Sequence, residues 1–248
     1  MKDKTVILIP ARFNSTRLPG KPLKNIDGIP MIIRCAKNAA ETGLAVYVAT
    51  DSDLIKDVCD QYSIQSIMTP ECSTGTDRLA NAVEKIDSKY IINLQGDEPM
   101  INGDSINKMV SSLNILKESE DTILNAVTLI GINKAKDVNN VKCALIESGN
   151  LIQYFSRKPL LNEILPDGRE IYYKQVGLYA MTRENLKKFA SLKEGKLEKA
   201  EKVELMRWIE NGFKISSCIL DIDPISVDTP KDLLEVSQIF SGSLRNLS

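Results

Sequence analysis

The residues with the clearest chemical potential lie in the segment PARFNSTRLPGK, at positions 10–21. Directly after an apolar run, it carries three cations and a glycine, namely Arg12, Arg17, Lys21 and Gly20. Such cations, together with main-chain amides such as that of Ala11, are the groups that bind phosphate oxygens. The segment therefore predicts a triphosphate site, with a solvated surface loop of incidental charge as the alternative.

Two common phosphate-binding motifs are absent from this segment. No G-x-G-x-x-G follows the apolar run, and Gly20-Lys21 precedes Pro22 rather than serine or threonine. A dinucleotide-binding fingerprint needs the glycine pattern, and a Walker P-loop needs the hydroxyl residue after the lysine. The sequence therefore indicates a cationic loop of another kind.

The sequence contains no histidine. Ser-His-Asp triads, His-Cys pairs and histidine-bound zinc all depend on the imidazole ring, so these mechanisms are excluded. The five cysteines are widely spaced and never form C-x-x-C, which supports neither a disulfide framework nor a zinc site. The chemistry must rest on carboxylates, lysine, arginine, main-chain amides and a hard metal ion.

Composition and charge narrow the class of protein further. Of the 248 residues, 43% are hydrophobic, and the formal net charge is -1. This composition is typical of a globular domain and argues against a general affinity for nucleic acid or anionic membranes. No apolar run approaches the ~18 residues of a membrane span, and no export signal is recognisable. Together with the cysteine usage, these features predict a cytoplasmic protein.

The elements expected to position the cationic loop alternate between strand and helix over the first half of the chain. Apolar runs predict strands at 5–11, 45–50, 64–68 and 90–94. Apolar spacing predicts helices at 30–42, after Asp51 or Ser52, at 76–86 and at 105–117. This alternation favours a parallel sheet covered on both faces, which binds ligands outside the carboxyl ends of its strands.

Beyond residue 121 the strand candidates follow one another more closely. They lie at 123–130, 143–147, 151–155 and 173–181, with a later strand at 213–220. Helices are predicted at 197–211, which is charged and amphipathic, and at 230–240. We expect a single domain over 1–248 with an inserted, antiparallel extension at about 121–181.

Seven segments carry a more specific resemblance. Three of them are IPARFNSTRLPGKPL at 9–23, STGTDRLA at 73–80 and LQGDEPMI at 94–101. The others are YFSRKPL at 154–160, YKQVGLYA at 173–180, LEKAEKVELMRW at 197–208 and SVDTPKDL at 226–233. In this order, and over nearly the whole chain, they resemble the 3-deoxy-manno-octulosonate cytidylyltransferases, the CMP-Kdo synthetase family.

The resemblance implies a fold, a reaction and partners. The fold would be a three-layer αβα arrangement with a mostly parallel, doubly wound sheet of the nucleotide-diphospho-sugar transferase type and an antiparallel extension that forms a homodimer. The enzyme would use Mg²⁺ to join CMP from CTP to 3-deoxy-D-manno-octulosonate (Kdo), releasing pyrophosphate, for lipopolysaccharide or capsule synthesis. CTP and a Kdo-type sugar acid are the expected partners, without nucleic acid or membrane.

Two aspartates acquire a role as magnesium ligands from the resemblance. Asp97 ends a predicted strand in QGDEP, and Asp228 precedes the last helix in VDTP. Mg²⁺ prefers oxygen ligands and is commonly held by one or two carboxylates beside substrate phosphates. Taken alone, an aspartate before Thr-Pro is more often a turn residue or helix cap, so the assignment of Asp228 depends on the family pattern. Arg12 and Lys21 join the two aspartates as catalytic candidates.

The nucleotide-binding candidates include residues beyond the cationic loop. They are Pro10, Ala11, Arg12, Arg17, Lys21, Thr74, Gly75, Arg78 and Gln95. Thr74 falls at a predicted helix start, where capping is the alternative role for its hydroxyl. The resemblance implies that this loop helps to exclude the larger purine base. Gln95 is a candidate contact to either the ribose or the sugar acid.

The sugar-binding candidates are Gln95, Arg157, Gln175, Tyr179, Glu201 and Glu204. The Arg157 guanidinium suits a substrate carboxylate, with a surface salt bridge as the alternative. Gln175 and Tyr179 are four apart in a predicted strand and so share a face, although Tyr179 can equally belong to the core. Glu201 and Glu204 are expected on one amphipathic helix, where an exposed face is the default role.

Three positions depart from the family pattern. Many relatives carry His where this chain has Cys72 and Gln175, and Gln where it has Leu205. These departures leave the phosphate loop and both metal candidates intact, so they bear on the sugar rather than on the reaction. The 8-amino analogue of Kdo and sialic-type acids stay open as substrates. A non-catalytic, nucleotide-binding regulatory protein is the alternative from another class.

Overall fold

The computed structural model describes residues 4–15, 17–119, 121–146 and 150–242. The chain divides into two compact units. The first comprises residues 1–107 and 224–248, and the second comprises residues 108–223.

The first unit contains four parallel strands in the order β5-β4-β1-β6. Their bounds are Thr5–Ala11 for β1, Ala45–Thr50 for β4, Ser66–Met68 for β5 and Tyr90–Leu94 for β6. Every residue of β1 and β6 is buried, and their sequences are mostly apolar, as expected of parallel strands that are covered on both faces. The predicted strands are confirmed here, and only β5 is shorter than expected.

Helices of this unit follow the strands as predicted. They are α1 at Met31–Ala40, α2 at Asp53–Gln61, α3 at Gly75–Val83 and α10 at Pro230–Phe240. A small hairpin that was not predicted from the sequence precedes α1, with β2 at Asn25–Ile26 and β3 at Ile29–Pro30. Its turn contains Asp27 and Gly28, both in the left-handed region. Ile26, Met31, Val227 and Val236 bring the hairpin, α1 and α10 into one apolar cluster.

The helix predicted at 105–117 is interrupted. Helix α4 covers Gly103–Ser111, a 3-10 turn covers Ser112–Asn114, and α5 covers Ile115–Glu118.

The second unit is mostly antiparallel, with the strand order β11-β7-β12-β9-β8. The strands are β7 at Thr122–Gly131, β8 at Lys142–Ile146, β9 at Leu151–Ser156, β11 at Glu170–Thr182 and β12 at Lys214–Ile219. Only β12 and β7 pair in parallel among the pairings described for these strands. Residue 147, the last of the predicted strand 143–147, lies outside the described residues.

Shorter elements complete the second unit. They are α6 at Ile132–Ala135, β10 at Glu163–Ile164, which pairs with β11, and α7 at Arg183–Ser191. None of these three elements was predicted from the sequence. Helix α7 begins after Thr182, whose hydroxyl accepts a hydrogen bond from the Asn185 amide.

The single helix predicted at 197–211 is wrong. The segment forms two short helices, α8 at Lys196–Glu201 and α9 at Met206–Glu210. Lys202 between them has φ 53, in the left-handed region, which ends α8. The carbonyls of Glu201 and Lys202 accept hydrogen bonds from the Arg157 side chain, at 2.8 and 3.1 Å. A continuous helix would direct these carbonyls to its own amides.

A buried ion pair joins the two short helices. Arg207 donates two hydrogen bonds to Glu198, at 2.8 and 2.7 Å, and both side chains are almost fully buried. Charged residues in this amphipathic sequence thus face inward as a pair rather than outward. Among the described residues, no helix is long and apolar enough to cross a membrane.

Candidate active site

The predicted nucleotide and metal residues line one cleft of the first unit, with a volume of about 260 Å³. They come from the carboxyl end of β1, the loop after it, the start of α3, the end of β6 and the segment before α10. The residues concerned are Pro10, Ala11, Arg12, Arg17, Lys21, Thr74, Gly75, Arg78, Gln95, Asp97 and Asp228. The cleft therefore lies where an open α/β sheet binds its ligands.

Lys21 lies between the two aspartates proposed as metal ligands. Its ammonium nitrogen is 2.6 Å from Asp97 Oδ2 and 3.0 Å from Asp228 Oδ1. Arg17 contacts the same Asp228 oxygen at 2.9 Å. The two carboxylates, which the sequence separates widely, therefore converge on a single cation.

The pKa of Lys21 reflects this arrangement. Burial lowers it, but the charges of Asp97 and Asp228 and their hydrogen bonds outweigh burial, so the pKa is raised above its ordinary value. Lys21 is consequently a permanent cation near neutral pH.

Local backbone geometry brings Lys21 and Asp97 into the cleft. Gly20 adopts φ 64, a conformation that glycine tolerates without strain, and Lys21–Leu23 then forms a 3-10 turn. Gly96 lies so close to β1 that a Cβ atom there would be 2.8 Å from the Pro10 carbonyl oxygen. A larger residue beside Asp97 would push the ends of β1 and β6 apart.

Asp228 is positioned by main-chain contacts and by the start of α10. The Val227 amide donates to the Asp97 carbonyl at 2.9 Å, which holds the two acidic segments together. Thr229 and Asp232 form a reciprocal capping box at the helix start. Asp232 Oδ2 also accepts a hydrogen bond from the Asp228 amide at 3.1 Å.

The donor set fits a hard divalent cation. The carboxylates of Asp97 and Asp228 lie on either side of the Lys21 ammonium group, and the adjoining loop supplies Arg12 and Arg17 for phosphate groups. Mg²⁺ commonly uses one or two protein carboxylates and completes its octahedron with phosphates and water. Within the described part of the chain, no group of three acidic, cysteine or histidine side chains forms a metal cage. A cation held by two carboxylates would have coordination positions left for substrate oxygens and water.

The start of α3 forms another wall of the cleft. Thr74 caps this helix, because its hydroxyl accepts a hydrogen bond from the Asp77 amide at 3.1 Å. A Cβ at Gly75 would contact Pro10 Cγ at 3.4 Å and Gln95 Oε1 at 3.6 Å, so the main chain here closely approaches both residues. The capping role considered for Thr74 is thus present in the structure.

Arg78 is buried and already has two protein partners. It donates to Thr69 Oγ1 at 2.7 Å and to Asp51 Oδ2 at 2.5 Å. Thr69 and Asp51 are not among the site residues predicted from the sequence. Their only sequence signal is that each polar residue directly follows a strand, β5 and β4 respectively.

The remaining sugar candidates belong to the second unit. Gln175 Nε2 lies 3.5 Å from Tyr179 Oη, so these side chains share a face as predicted. The Arg157 guanidinium donates to the carbonyls of Glu201, Lys202 and Val138, and its amide donates to Glu201 Oε2 at 2.9 Å. Arg157 and Glu201 are thus brought together.

The prediction that Glu201 and Glu204 lie on one helix is wrong. Glu201 ends α8, whereas Glu204 lies in the turn between α8 and α9. The left-handed conformation of Lys202 separates them, so their spacing of three does not place them on one helix face.

Lys142, like Thr69 and Asp51, is a site residue that was not predicted from the sequence. It is fully buried, and its ammonium group donates to the carbonyls of Asp137, Asn140 and Arg157. Burial lowers the pKa of Lys142. The lysine therefore fixes the main chain at Arg157. Nothing in its local sequence distinguishes it from a surface lysine on a strand.

Comparison with known proteins shows several close similarities. Residues 6–215 match a family described as cytidylyltransferase. A 3-deoxy-manno-octulosonate cytidylyltransferase of Chloroherpeton thalassium is 35% identical over 250 residues, which cover 98% of this chain and all of that protein. An 8-amino-3,8-dideoxy-manno-octulosonate cytidylyltransferase of Shewanella baltica (strain OS155) is 39% identical over 246 residues, covering 94% and 96% of the two chains.

A solved structure is also similar over almost the full length. It is a CMP:2-keto-3-deoxy-manno-octonic acid synthetase in complex with CTP, with 32% sequence identity and a TM-score of 0.86. The match covers 97% of this chain and all of that one. The observed mixed α/β architecture, with a central sheet and flanking helices, is shared with that protein.

Proposed function

Because this chain belongs to the cytidylyltransferase family, we propose that it transfers CMP from CTP to Kdo or to its 8-amino analogue. Full-length relatives carry both activities in their names, at 35% and 39% identity. The observation that carries the proposal is the convergence of Lys21, Asp97 and Asp228 in a cleft lined by further cations. Such a site matches the charge of a nucleoside triphosphate.

The proposed reaction is an in-line displacement at the α-phosphorus of CTP. The anomeric hydroxyl of the sugar acid attacks and loses its proton to solvent, a new oxygen–phosphorus bond forms, and the bond to the bridging oxygen breaks so that pyrophosphate leaves. Arg12, Arg17 and Lys21 neutralise the triphosphate and the departing pyrophosphate. Because the chain lacks histidine, no imidazole base takes part.

Asp97 and Asp228 are the residues that would hold Mg²⁺. When bound, Mg²⁺ supplies charge neutralisation at the phosphates and lowers the pKa of the attacking hydroxyl. Lys21 in turn balances both carboxylates and keeps them together. The chain's own contribution is thus to hold like charges close enough to share a cation.

The remaining predictions concern the base and the sugar. Pro10, Ala11, Thr74 and Gly75 supply main-chain and hydroxyl contacts to the nucleotide, and Arg78 and Gln95 supply side-chain donors. The sugar acid is assigned to Gln95, Arg157, Gln175, Tyr179, Glu201 and Glu204. Arg157 already donates to three carbonyls, and a guanidinium carries five N–H donors, so two donors remain for the substrate carboxylate.

We further propose that the whole chain acts as one three-layer, doubly wound catalytic domain in the cytoplasm, with residues 121–181 as an inserted homodimerisation extension. Exposed apolar side chains in that region support the dimer, namely Leu129, Leu161 and Ile164. Sedimentation velocity tests it, since a monomer at micromolar concentration would contradict the assignment. A role in lipopolysaccharide or capsule synthesis follows from the sugar.

A coupled pyrophosphate-release assay tests the proposed reaction. CTP, UTP and ATP are each combined with Kdo, 8-amino-Kdo and a sialic acid, with Mg²⁺ or with a chelator. We expect release only with CTP, Mg²⁺ and a Kdo-type acid, and the better of the two acids identifies the substrate. Release with sialic acid would instead indicate the nine-carbon alternative. Nucleotide binding without release for any pair would indicate a regulatory protein.

A further inference from the structure

Strand β11 contains an irregularity between two of the proposed sugar-binding residues. Gln175 pairs with Val127 of β7, and Tyr179 pairs with Asn125. An advance of four residues along β11 therefore corresponds to an advance of only two residues along β7. Four residues of a regular strand span about 13 Å and two span about 7 Å, so the bulge brings the pair much closer together. This explains how Gln175 Nε2 reaches 3.5 Å from Tyr179 Oη.

Asn125 holds the bulged segment from the neighbouring strand. Its Nδ2 donates to the Val176 carbonyl at 3.0 Å and to the Leu178 carbonyl at 3.4 Å. These carbonyls flank Gly177, at the centre of the bulge. One buried amide thus ties both sides of the irregular segment to β7.

Core packing alone would favour an apolar residue over asparagine at position 125. Its side chain is fully buried, and its Oδ1 has no hydrogen-bond partner within the part of the chain that the structure describes. Its neighbours Leu124, Ala126 and Val127 are all buried and apolar. A leucine here would avoid the cost of a desolvated carbonyl oxygen. Residues that break such a local rule are expected where function requires them.

We propose that Asn125 is a positioning residue for the sugar acid, because it holds the bulge that presents Gln175 and Tyr179 as a pair. The inference rests on the proposed function in one respect, which is that these two side chains contact the sugar. Asn125 itself lies in the core and acts only through them. It should therefore affect binding of the sugar acid and leave binding of CTP unchanged.

The test compares Asn125→Leu with Leu124→Ala. Asn125→Leu removes the amide donor, whereas Leu124→Ala creates a cavity in the same strand on a buried apolar residue. We expect Asn125→Leu to raise the KM for the sugar acid roughly fivefold to tenfold, with the KM for CTP unchanged, as the loss of about one hydrogen bond implies. Leu124→Ala should change neither KM at temperatures well below its melting point. If Asn125→Leu does not fold, Asn125→Ala serves in its place, because it only removes atoms.

A double-mutant cycle separates this inference from the proposed function. Gln175→Ala with Tyr179→Phe should itself raise the KM for the sugar acid, and adding Asn125→Leu should raise it no further, because the residue acts through the pair. If the double variant leaves that KM unchanged, the sugar assignment of the pair is wrong. If it raises the KM but Asn125→Leu alone does not, or if the effects multiply, the positioning role of Asn125 is overturned.

Discussion

At the scale of single residues, the central feature is the ammonium group shared by two carboxylates. Lys21 contacts Asp97 and Asp228, and Arg17 joins them on the Asp228 side. Two carboxylates held this close would repel each other without a cation. Lys21 therefore keeps the acidic pair assembled and also lies beside the expected triphosphate.

Lys21→Met should separate these two roles. We expect turnover to fall about a hundredfold or more, because a preorganised charge at the phosphates is lost. Binding of Mn²⁺ without nucleotide should become tighter, since the internal cation no longer competes for the carboxylates. Electron paramagnetic resonance of free Mn²⁺ measures the second effect, and initial rates measure the first.

Lys21→Arg is the matched control for charge. It keeps the positive charge, so Mn²⁺ binding without nucleotide should stay near the wild-type value, while the larger planar group disturbs the geometry and turnover still falls. Wild-type turnover in Lys21→Met would contradict the assignment of Lys21 as a catalytic residue.

At this scale the sequence predicted which residues come together better than which partners their side chains contact. The cationic loop and the two aspartates do meet in one cleft. The partners of Arg78 and Arg157 were not predictable, because Asp51, Thr69 and three main-chain carbonyls leave no motif in the sequence. A guanidinium with five donors can satisfy substrate and protein alike, and sequence does not distinguish the two.

At the scale of elements, the helix start at α10 links stability to the proposed metal site. Asp232 is the N3 residue of the capping box that begins at Thr229, and its carboxylate also accepts a hydrogen bond from the amide of Asp228. The same side chain thereby fixes the first turn of α10 and the position of Asp228, the residue expected to hold Mg²⁺.

Asp232→Ala should therefore lower stability and weaken metal use together. We expect a loss of about 1 kcal/mol in the free energy of unfolding, typical of a lost N-cap interaction, and a higher Mg²⁺ concentration for half-maximal rate. Lys231→Ala, an exposed neighbour in the same helix turn, is the control and should change neither quantity. A stability loss without any change in Mg²⁺ requirement would show that the cap does not position Asp228.

Elements with a strong local signal were predictable and those set by tertiary contacts were not. Strands β1, β4 and β6 and helix α10 begin and end where apolar runs, Pro230 and the capping residue place them. The break between α8 and α9 was missed, because the sequence LEKAEKVELMRW has helical spacing throughout. The break is set by the contacts of the Arg157 side chain and by the buried ion pair of Glu198 and Arg207. Arg157 is distant in sequence from the break, and the charges of Glu198 and Arg207 are typical of surface residues, so neither contact was predictable.

At the scale of the whole molecule, pH should affect stability through a partly buried ionic cluster of the second unit. Asp223 pairs with Lys134 and Lys174. Burial raises the pKa of Asp223, but the hydrogen bonds and charges of the two lysines outweigh burial and hold the pKa below its ordinary value. Its contribution to stability is therefore complete above the unfolded pKa of about 4 and is lost as pH falls through the lower folded pKa.

Urea unfolding of the wild type and Asp223→Asn measures this contribution. The difference in stability should be constant from pH 7 to about pH 5 and should shrink below about pH 4. Asp221→Asn is the control, because Asp221 is 86% exposed and its surface pair with Lys108 should contribute little at any pH. A difference that grows on acidification would contradict the sign of the Asp223 effect.

The meeting of distant residues was the least predictable feature from residue patterns alone. Lys21 and Asp228 are 207 positions apart, and no local periodicity indicates that they touch. The family resemblance supplied that expectation, because it fixes an order of motifs rather than a single one. The bulge in β11 was predicted neither by the residue pattern nor by the family resemblance, because it is defined by the pairing of β11 with β7.

The most direct test of a shared divalent ion is a titration of Mn²⁺ in the presence of CTP, followed by electron paramagnetic resonance. Wild type, Asp97→Asn and Asp228→Asn are compared, with thermal unfolding as the check that each variant is folded. If the two carboxylates hold the same ion, both variants lose the same tightly bound Mn²⁺ and lose turnover with it. Wild-type Mn²⁺ stoichiometry and affinity in either folded variant would contradict the account.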